Sequence, residues 1–272
     1  MIEKGVCVAA LIVTFNPDER LFLSLEAVQS VANQVVIVDN DSNDKSFINN
    51  LKSLFSENAL AILELSSNLG IAGALNYGVK YIKDNFNVDY ILTLDQDTII
   101  VYHDIGTVIK EANHRFDKIG IIALGTNKTL EKINYRKIRY VITSGNLVRV
   151  EVFNNLKFRE EFFMDQVDFD FDYEVRKRNY KIILADGYLI DHRLGEKLGK
   201  FTYEQQFRMY YIIRNSSVLL MERKLPLTKY IVQILYLSIG SILHDGIINY
   251  SRTLITGVTD GFSGKLGKKT EF

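Results

Sequence analysis

One segment near the middle of the chain constrains the fold more than any other. Residues 90–94 are an apolar run of strand-forming residues, and the run ends in Asp95-Gln96-Asp97. In an open parallel sheet, ligands bind outside the carboxyl ends of the strands. Two carboxylates there repel each other unless a cation lies between them, and Mg²⁺ or Mn²⁺ is the simplest such cation. The segment predicts a metal that holds a diphosphate, with a solvated acidic turn as the alternative interpretation.

The residues around this segment predict a parallel sheet. Apolar runs typical of strands covered on both faces alternate with segments of helical spacing. The predicted strands before residue 90 are 6–14, 35–38 and 61–65, and the predicted helices are 19–31, 45–55 and one from Gly70 through Ile82. This alternation favours an α/β fold with a mostly parallel, doubly wound sheet flanked by helices. Three of the first four strands end in polar or acidic residues, which predicts that those groups lie on one edge of the sheet.

After the two acids the alternation is less regular, and the sequence ends in long helices. The predicted helices are 104–113 and 162–178, the predicted strands are 119–124, 138–143 and 182–184, and Ser144-Gly145-Asn146 is predicted as a turn. From residue 201 the chain is predicted to be helical to about 222 and, after Pro226, from 227 to about 256, with a loose tail from Gly257. We therefore expect one domain over residues 1–224 and a C-terminal helical extension over 225–272.

Composition excludes several classes of protein. The 33 Lys and Arg residues balance the 33 Asp and Glu residues, so no net field attracts nucleic acid. Cys7 is the only cysteine, which excludes an internal disulfide and fits a reducing compartment. The first residues have no signal-peptide pattern, and the apolar window 230–243 is too short and interrupted to span a bilayer. We expect a cytoplasmic protein, attached at most to the inner face of the cell membrane.

Two further candidate sites follow the second and third predicted strands. Asp39 is placed where a carboxylate can accept the N3–H of uracil or thymine, and a helix N-cap is the alternative role. We assign Asp39 to the ligand and Ser42 or Asp44 to the cap. The segment Asn68-x-Gly70-x-x-Gly73 lacks the first glycine of a dinucleotide fingerprint. Its small residues suit either a ligand at a helix N-terminus or tight packing of a helix on the sheet.

The predicted helix that begins near residue 162 carries an unusual number of acids. Asp165, Asp168 and Asp172 are spaced to share one helix face, with Asp170 elsewhere. Crowded like charges cost stability, which the helix dipole offsets in part near a helix start. The functional interpretation is that one acid removes the proton of a sugar hydroxyl, with its pKa raised by its acidic neighbours.

A histidine and two arginines complete the set of candidate residues. His192 follows an apolar strand, where it could give a nitrogen ligand to the metal, and a buried, hydrogen-bonded histidine is the alternative. Arg208 and Arg214 lie in a helical segment with Tyr211 and Asn215. The guanidinium group suits a departing diphosphate, and surface arginines of an ordinary amphipathic helix are the alternative.

Taken in order, these motifs resemble the family 2 glycosyltransferases of the GT-A fold, and the bacterial rhamnosyltransferases most of all. The resemblance covers roughly residues 6–224, and it is carried by the ordered set of motifs. The matching segments are Val13-Thr14-Phe15-Asn16-Pro17, Val38-Asp39-Asn40-Asp41-Ser42, Asn68-x-Gly70-Ile71-Ala72 with Asn76-x-Gly78, Asp95-Gln96-Asp97, Thr143-Ser144-Gly145-Asn146, Phe162-Phe163-Met164-Asp165-x-Val167-Asp168, His192-x-Leu194-Gly195 and Arg208-x-Tyr210-Tyr211-x-x-Arg214-Asn215.

The resemblance implies a reaction and a cofactor. A sugar is moved with inversion from a dTDP- or UDP-sugar, with dTDP-rhamnose as the expected donor, and Mn²⁺ or Mg²⁺ is required. The implied acceptor is a hydroxyl of a growing cell-surface polysaccharide, in a cell wall or capsule, or of a lipid-linked oligosaccharide.

The resemblance also assigns roles to single residues. Asp97 and His192 receive the metal, and Asp168 receives the role of base because it stands eleven residues before Asn179, where the family usually has a glycine. Asp165 is the alternative base, and Asp170 stands where the rhamnosyltransferases usually have glutamate. The implied nucleotide contacts are Phe15, Asn16, Asp39, Asn68, Ala72, Asp95 and Gln96, and the implied diphosphate or acceptor contacts are Asp165, Ser144, Gly145, Arg208 and Arg214.

Other functions remain open at this point. An apolar strand that ends in Asp-x-Asp also marks haloacid-dehalogenase-type phosphatases, although Thr98 is one residue too early for that motif. A nucleotidyltransferase shares the sheet and the metal acids but needs a Gly-rich, basic loop in place of Phe15-Asn16-Pro17-Asp18. A non-catalytic binding protein could use the same fold. The apolar C-terminal helices predict pairing between subunits, core packing or contact with a membrane surface.

Overall fold

The computed structural model describes residues 5–54, 60–192, 196–198, 201–203 and 205–269. The chain divides into two compact units, the first formed by Met1–Phe158 with Phe171–Arg193 and the second by Arg159–Asp170 with Leu194–Phe272. The predicted division after residue 224 stays a prediction.

The first unit alternates strands and helices, as its apolar pattern predicts. Its strands are β1 (Val8–Thr14), β2 (Gln34–Asp39), β3 (Leu60–Glu64), β4 (Tyr90–Asp95), β5 (Ile99–Ile100), β6 (Ile119–Leu124), β7 (Asn134–Ile138), β8 (Asn146–Arg149), β9 (Lys181–Asp186) and β10 (Ile190–Asp191). Its helices are α1 (Arg20–Gln29), α2 (Ser46–Leu54), α3 (Gly70–Asn85), α4 (Ile105–Arg115) and most of α5 (Val167–Lys177), whose first four residues belong to the second unit.

Eight of these strands form one mixed sheet in the order β3-β2-β1-β4-β8-β6-β9-β7. Strands β3, β2, β1 and β4 are parallel, β8 is antiparallel to both of its neighbours, and β7 is antiparallel to β9. Every residue of β1 is buried, because β1 lies inside the sheet with helices packed on it. The predicted fold class, an α/β fold with a mostly parallel sheet and C-terminal helices, is confirmed.

The register of the parallel strands brings the predicted polar residues to one edge. Thr14 at the end of β1 is paired with Asp39 of β2, and Val13 is paired with Asp95 of β4. Because β1 lies between β2 and β4, the chain reverses its direction of strand addition at β1. That reversal creates a switch point, where ligands bind outside the carboxyl ends of the strands.

Two sequence predictions for the first unit are wrong. The strand predicted over 138–143 does not form, since β7 ends at Ile138, and β8 begins only at Asn146, which was assigned to a turn. The helix predicted from residue 162 begins at Val167, because Phe163, Asp165 and Gln166 have φ values of 64°, 53° and 60°. Left-handed backbone at three of four consecutive residues cannot continue a right-handed helix. At the other end of α5, Asn179 has a φ of 63°, a left-handed conformation that asparagine tolerates where the family usually has a glycine.

The second unit is mainly helical. It contains the antiparallel pair β11 (Glu196–Leu198) and β12 (Phe201–Tyr203), and the helices α6 (Gln206–Met221), α7 (Leu227–Asp245) and α8 (Ile247–Phe262). Residues 201–203 are therefore a strand and not the start of a helix. Gly246, with a φ of 80°, ends α7 and divides the predicted 227–256 helix in two. Residues 257–262 belong to α8, so the predicted loose tail is wrong there.

The inner faces of the last three helices pack on one another. Leu237 of α7, Tyr250 of α8 and Ile213 of α6 belong to one apolar cluster. Among the helices that the structure describes, none has the length and apolar character needed to cross a membrane.

Candidate active site

Asp95, Asp97 and His192 form a group of possible metal ligands at the carboxyl edge of the sheet. One donor atom from each of the three residues can be chosen so that all lie within 4.8 Å of one another. Nε2 of His192 is 3.7 Å from Oδ2 of Asp95, and its Nδ1 is 3.7 Å from Oδ1 of Asp97. The acid side chains are 42% and 27% exposed, whereas His192 is 8% exposed. We call these three residues the metal group.

A chain of hydroxyl groups holds the imidazole of His192. The Thr98 hydroxyl is 2.5 Å from Nδ1 of His192 and 2.7 Å from the Ser144 hydroxyl, and the Ser144 hydroxyl accepts the backbone N–H of Asp95. Thr98 and Ser144 are buried. When the ring carries its proton on Nδ1, it donates to Thr98 and presents the lone pair of Nε2 to a metal. These hydroxyl groups therefore link the orientation of one possible metal ligand, His192, to the backbone of another, Asp95.

The donor set fits a divalent cation. Adjacent ligands of octahedral Mg²⁺ lie roughly 3 Å apart and opposite ligands roughly 4.2 Å apart, from a bond length of about 2.1 Å. The donor atoms of the metal group are spread over a similar distance. Carboxylates favour Mg²⁺ or Mn²⁺, while imidazole favours transition metals, so Mn²⁺ suits both ligand types. The partial exposure of the two acids gives other ligands access to the same position.

Arg20 braces the backbone beside the metal group. Its Nε donates to the carbonyl of Asp97 at 2.6 Å, and its NH2 donates to the carboxylate of Asp191 at 3.1 Å. The bond from Arg20 keeps the pKa of the Asp191 carboxyl below its usual range. Sequence reasoning missed both Arg20 and Thr98, since an arginine at a helix start and a threonine after an acid have no distinctive pattern.

Asp39 is completely buried at the end of β2, and both oxygens of its carboxylate accept hydrogen bonds. Oδ1 accepts from the hydroxyls of Thr14 and Ser42, and Oδ2 accepts from the backbone N–H of Ser42 at 3.2 Å and from Nζ of Lys45 at 2.6 Å. The bond to Asp39 raises the pKa of Lys45. Lys45 was not singled out from the sequence, although its place six residues after Asp39 allows it to reach back.

The division of roles between Asp39 and its neighbours follows from these contacts. Asp44 accepts the backbone N–H of Ser46, the first residue of α2, at 2.8 Å, and this bond lowers the pKa of Asp44. Of the two residues predicted for the cap, Ser42 and Asp44, it is therefore Asp44 that bonds to the start of the helix. The buried carboxylate of Asp39 does not cap that helix.

The other predicted nucleotide residues line the loops around this edge. Phe15 is 43% exposed, and its N–H donates to Oε1 of Gln96 at 2.9 Å. Asn16 has a φ of 48° and receives the N–H of Asn43, which joins the loop after β1 to the loop after β2. Oδ1 of Asn68 accepts from Asn40 and from the N–H of Gly70 at the start of α3.

Small residues occupy the places where the backbone is tightly packed. Ala72 is completely buried in α3. Gly145 has a φ of 83°, and a side chain there would collide with Ile190. Its carbonyl accepts the N–H of Leu124, and its N–H donates to the carbonyl of Thr93. These bonds fix Ser144 next to β4, where its hydroxyl contacts the backbone of Asp95.

The second unit contains the predicted acids Asp165 and Asp168. Asp165 precedes α5, so the prediction that it shares a helix face with Asp168 and Asp172 is wrong. Its side chain is 11% exposed and accepts from NH2 of Arg208 at 2.7 Å. Burial raises the pKa of Asp165, and Arg208 offsets part of that effect. Burial and not acid repulsion is thus the main cause of the raised pKa.

Asp168 lies in the first turn of α5, half-buried, and its Oδ1 accepts the N–H of Phe169 at 2.9 Å. Asp170 is buried, and it accepts from Nζ of Lys224 at 2.7 Å. Burial raises the pKa of Asp170, which the bond to Lys224 opposes. In the first unit, Asp172 accepts the N–H of Val141 at 2.7 Å. Asp170 and Asp172 are thereby engaged with the surrounding protein.

Arg214 and Asn215 of α6 hold the loop before α5, and we call this pair the Arg214–Asn215 clamp. Asn215 is completely buried, and Nδ2 lies 2.8 to 3.1 Å from the carbonyls of Phe162, Met164 and Asp165. Arg214 is 1% exposed and donates to the carbonyls of Phe162 and Gly267. The clamp supports the left-handed segment that carries Asp165. The predicted contact of Arg214 with a diphosphate stays a prediction, as does that of Arg208.

Known proteins are similar to this chain in sequence and in fold. The sequence is 28% identical to the dTDP-rhamnosyl transferase RfbF of Shigella flexneri, over 95% of this chain and 96% of that protein. The fold is similar to that of S. aureus TarS 1-349 in complex with UDP-GlcNAc, with a TM-score of 0.62 and 14% identity over 95% of this chain and 81% of that one. It is also similar to the mannosyltransferase PcManGT from Pyrobaculum calidifontis in complex with GDP-Man and Mn²⁺, with a TM-score of 0.60 and 13% identity over 96% and 76% of the two chains.

The fold and the site define a GT-A glycosyltransferase, an enzyme that moves a sugar from a nucleotide-sugar donor. The model of "Glycosyl transferase family 2" matches residues 10–165, more than half of the chain, and the chain therefore belongs to that family. Membership decides for glycosyl transfer over the phosphatase, nucleotidyltransferase and non-catalytic alternatives.

Proposed function

We propose that this glycosyltransferase moves rhamnose from dTDP-rhamnose, with inversion, to a hydroxyl of a growing cell-surface polysaccharide or of a lipid-linked oligosaccharide. The observation that carries the proposal for a nucleotide-sugar donor is the metal group at the same sheet edge as the buried carboxylate of Asp39. Rhamnose is supported by the likeness to RfbF, which extends over nearly the whole of both chains.

Asp39 is the proposed contact for the pyrimidine base. Its Oδ2 accepts from Lys45, so a base N3–H that donates to this atom takes the place of Nζ. Lys45 is 37% exposed and belongs to a flexible side-chain type, which allows it to swing away from the carboxylate. Recognition of the base is therefore an exchange of donors at a carboxylate that stays buried. Phe15, Asn16, Asn68 and Gln96 are proposed to surround the nucleoside.

The metal group is the proposed site of Mn²⁺ or Mg²⁺, with Asp97 and His192 as ligands and Asp95 as a ligand or a ribose contact. A bound divalent ion would supply positive charge beside the diphosphate, where negative charge grows during the reaction. The protein's own contribution is orientation. Thr98 and Ser144 fix the orientation of the His192 ring, and Arg20 holds the backbone of Asp97.

Asp168 is the proposed general base. It takes the proton of the acceptor hydroxyl while that oxygen forms a bond to C1 of the sugar, and the bond from C1 to the diphosphate oxygen breaks. The assignment to Asp168 rests on its place in the motif of residues 162–168, eleven residues before Asn179.

Donor screening tests the proposal. We expect dTDP-rhamnose with Mn²⁺ to raise the melting temperature more than UDP-sugars or GDP-mannose at equal concentration, because bound ligand stabilises the native state. The preferred donor is then incubated with a rhamnose-acceptor glycan, and release of dTDP and growth of the product are measured together. A clear preference for a purine nucleotide would contradict the role of Asp39. Transfer of another sugar from a dTDP- or UDP-sugar would contradict the assignment of rhamnose but not the proposed transfer from a nucleotide-sugar donor.

A further inference from the structure

The outer face of α7 is apolar and exposed over its whole length. Ile231, Leu235, Ile239 and Leu243 recur every four residues, and Val232 and Tyr236 lie beside them, with exposed fractions between 46% and 65%. The opposite face of the same helix packs on α6 and α8 through residues such as Leu237. The exposed residues therefore do not take part in the apolar cluster between the three helices. We call them the α7 outer face.

The size of this surface separates it from ordinary exposed hydrophobic residues. Residues 230–243 contain no charged side chain. In a helix, this segment is about 21 Å long. The apolar surface continues into α8, where Ile247, Ile248 and Ile255 are 64%, 75% and 66% exposed. Single exposed apolar residues are common in monomeric proteins, but a continuous patch of this extent marks an interaction surface.

Charge decides between the possible partners. The chain as a whole has as many acids as bases, but residues 223–269 contain seven basic residues and only two acids. Lys224 and Lys269 are bonded to the buried Asp170 and Asp260, and the other basic residues of the segment are Arg223, Lys229, Arg252, Lys265 and Lys268. One of the two acids, Asp260, is buried and bonded to Lys269 and Tyr210. A two-fold pairing of this face with a second copy would bring like charges together.

An anionic lipid surface complements the same features. A helix that lies in the membrane interface buries an apolar face between acyl chains and keeps basic residues near anionic headgroups. Tyr236, which is 53% exposed, adds an amphipathic ring of the kind that favours the headgroup level. We propose that the α7 outer face, together with the exposed isoleucines of α8, docks this enzyme on the surface of an anionic phospholipid bilayer. This proposal does not depend on the identity of the transferred sugar.

Flotation of the full chain with vesicles tests the proposal. The vesicles are made of phosphatidylcholine alone or of phosphatidylcholine mixed with phosphatidylglycerol. Wild-type protein is expected to float with the anionic vesicles and much less with the neutral ones. The double variant Val232→Glu/Leu235→Glu is expected to lose at least about tenfold in partition coefficient, because each substitution removes an apolar side chain from the contact.

The matched control is Leu23→Glu/Leu54→Glu. These leucines of the first unit are 54% and 61% exposed, so the control makes the same chemical change at similar exposure. It is expected to float like wild type. Circular dichroism melts check that both variants are folded.

A second variant tests the same proposal if the first does not fold. Arg223→Gln/Lys229→Gln/Arg252→Gln leaves the apolar face intact and removes three positive charges. We expect its binding to anionic vesicles to fall by at least about tenfold at low salt, while binding to neutral vesicles stays as in wild type.

Two results would overturn the proposal. Equal flotation of wild type and both α7–α8 variants would show that this surface does not contact lipid. Absence of flotation, together with a wild-type dimer that Val232→Glu/Leu235→Glu converts to a monomer in light-scattering measurements, would assign the surface to a second copy of the chain.

Discussion

The metal group of the first unit and the Arg214–Asn215 clamp of the second both consist of polar residues that the sequence motifs singled out. They differ in burial and in the distances between their polar atoms. Within the metal group the imidazole nitrogens lie 3.7 Å from the carboxylate oxygens, beyond hydrogen-bond distance, and the two acids are partly exposed. In the clamp, Arg214 and Asn215 are almost completely buried and lie 2.6 to 3.1 Å from most of the carbonyls that they contact. The first arrangement leaves room for a ligand between side chains, whereas the second fixes a strained loop.

The largest effect is expected at the proposed base, Asp168, which belongs neither to the metal group nor to the clamp. Asp168→Asn removes the proton acceptor and should lower turnover by about 10²–10⁴-fold, with nucleotide affinity nearly unchanged. Turnover is measured as release of nucleoside diphosphate in the presence of acceptor. Asp165→Asn is the matched comparison. Retention of more than about a tenth of wild-type turnover in Asp168→Asn would refute its role, and a selective loss in Asp165→Asn would move the role there.

One substitution in the clamp and one in the metal group test the difference between the two sets of residues. Arg214→Met leaves buried carbonyls unpaired and should lower the free energy of unfolding by about 3–5 kcal/mol, as measured by urea denaturation. Asp97→Asn should change that free energy by less than about 1 kcal/mol but weaken Mn²⁺ binding strongly. A stable Arg214→Met protein with weak diphosphate binding would instead support the predicted ligand contact of Arg214.

The hydroxyl chain behind the metal group predicts a smaller effect. Thr98→Val keeps the shape of the side chain but removes the bond to Nδ1 of His192. Mn²⁺ affinity, measured by calorimetric titration, should fall by about 10–100-fold. Thr129→Val, which removes an exposed hydroxyl bonded to Asn127, serves as the control and should bind Mn²⁺ like wild type. Unchanged affinity in Thr98→Val would show that Thr98 does not orient the ligand.

The smallest effect concerns the pH dependence of stability in the second unit. Burial opposes ionisation of Asp260, but hydrogen bonds from Lys269 and Tyr210 lower its pKa overall. A lowered native pKa gives stability above the unfolded value of about 3.9, and that stability is lost as the pH falls through the lower native pKa. Asp260→Asn should therefore reduce the melting temperature at pH 7 and weaken its decline below about pH 4.

Tyr210 gives the opposite pH dependence of stability, because its native pKa is raised. Burial and the bond to Asp260 raise its pKa to about 12. The stability linked to Tyr210 is therefore complete below pH 10 and is lost as the pH rises towards 12. Melting curves of wild type and Asp260→Asn over both ranges check the two signs, and parallel curves would contradict the proposed coupling.

Local pattern was sufficient for the strands and for the residues at their ends. The apolar runs up to Asp95 predict β1 to β4, since strands buried on both faces need continuous apolar sequence. Pattern failed where the backbone departs from regular geometry. Asp165 has the spacing of a helical residue, yet its left-handed backbone depends on bonds from Asn215, fifty residues later. Gly246 is a residue type that commonly ends a helix, but the helix predicted over 227–256 ran through it, and that prediction missed the break between α7 and α8.

By itself, the sequence determined that this protein forms a mostly parallel α/β sheet with acids at its carboxyl edge, because periodicity and strand-end residues are local properties. Only the tertiary structure decided which polar residues are engaged by the protein. Thr98 reaches His192 across 94 positions of sequence, Lys45 bends back to the buried Asp39, and Arg214 is enclosed by backbone carbonyls. Burial and hydrogen-bond partners arise from packing between distant segments, which local periodicity does not encode.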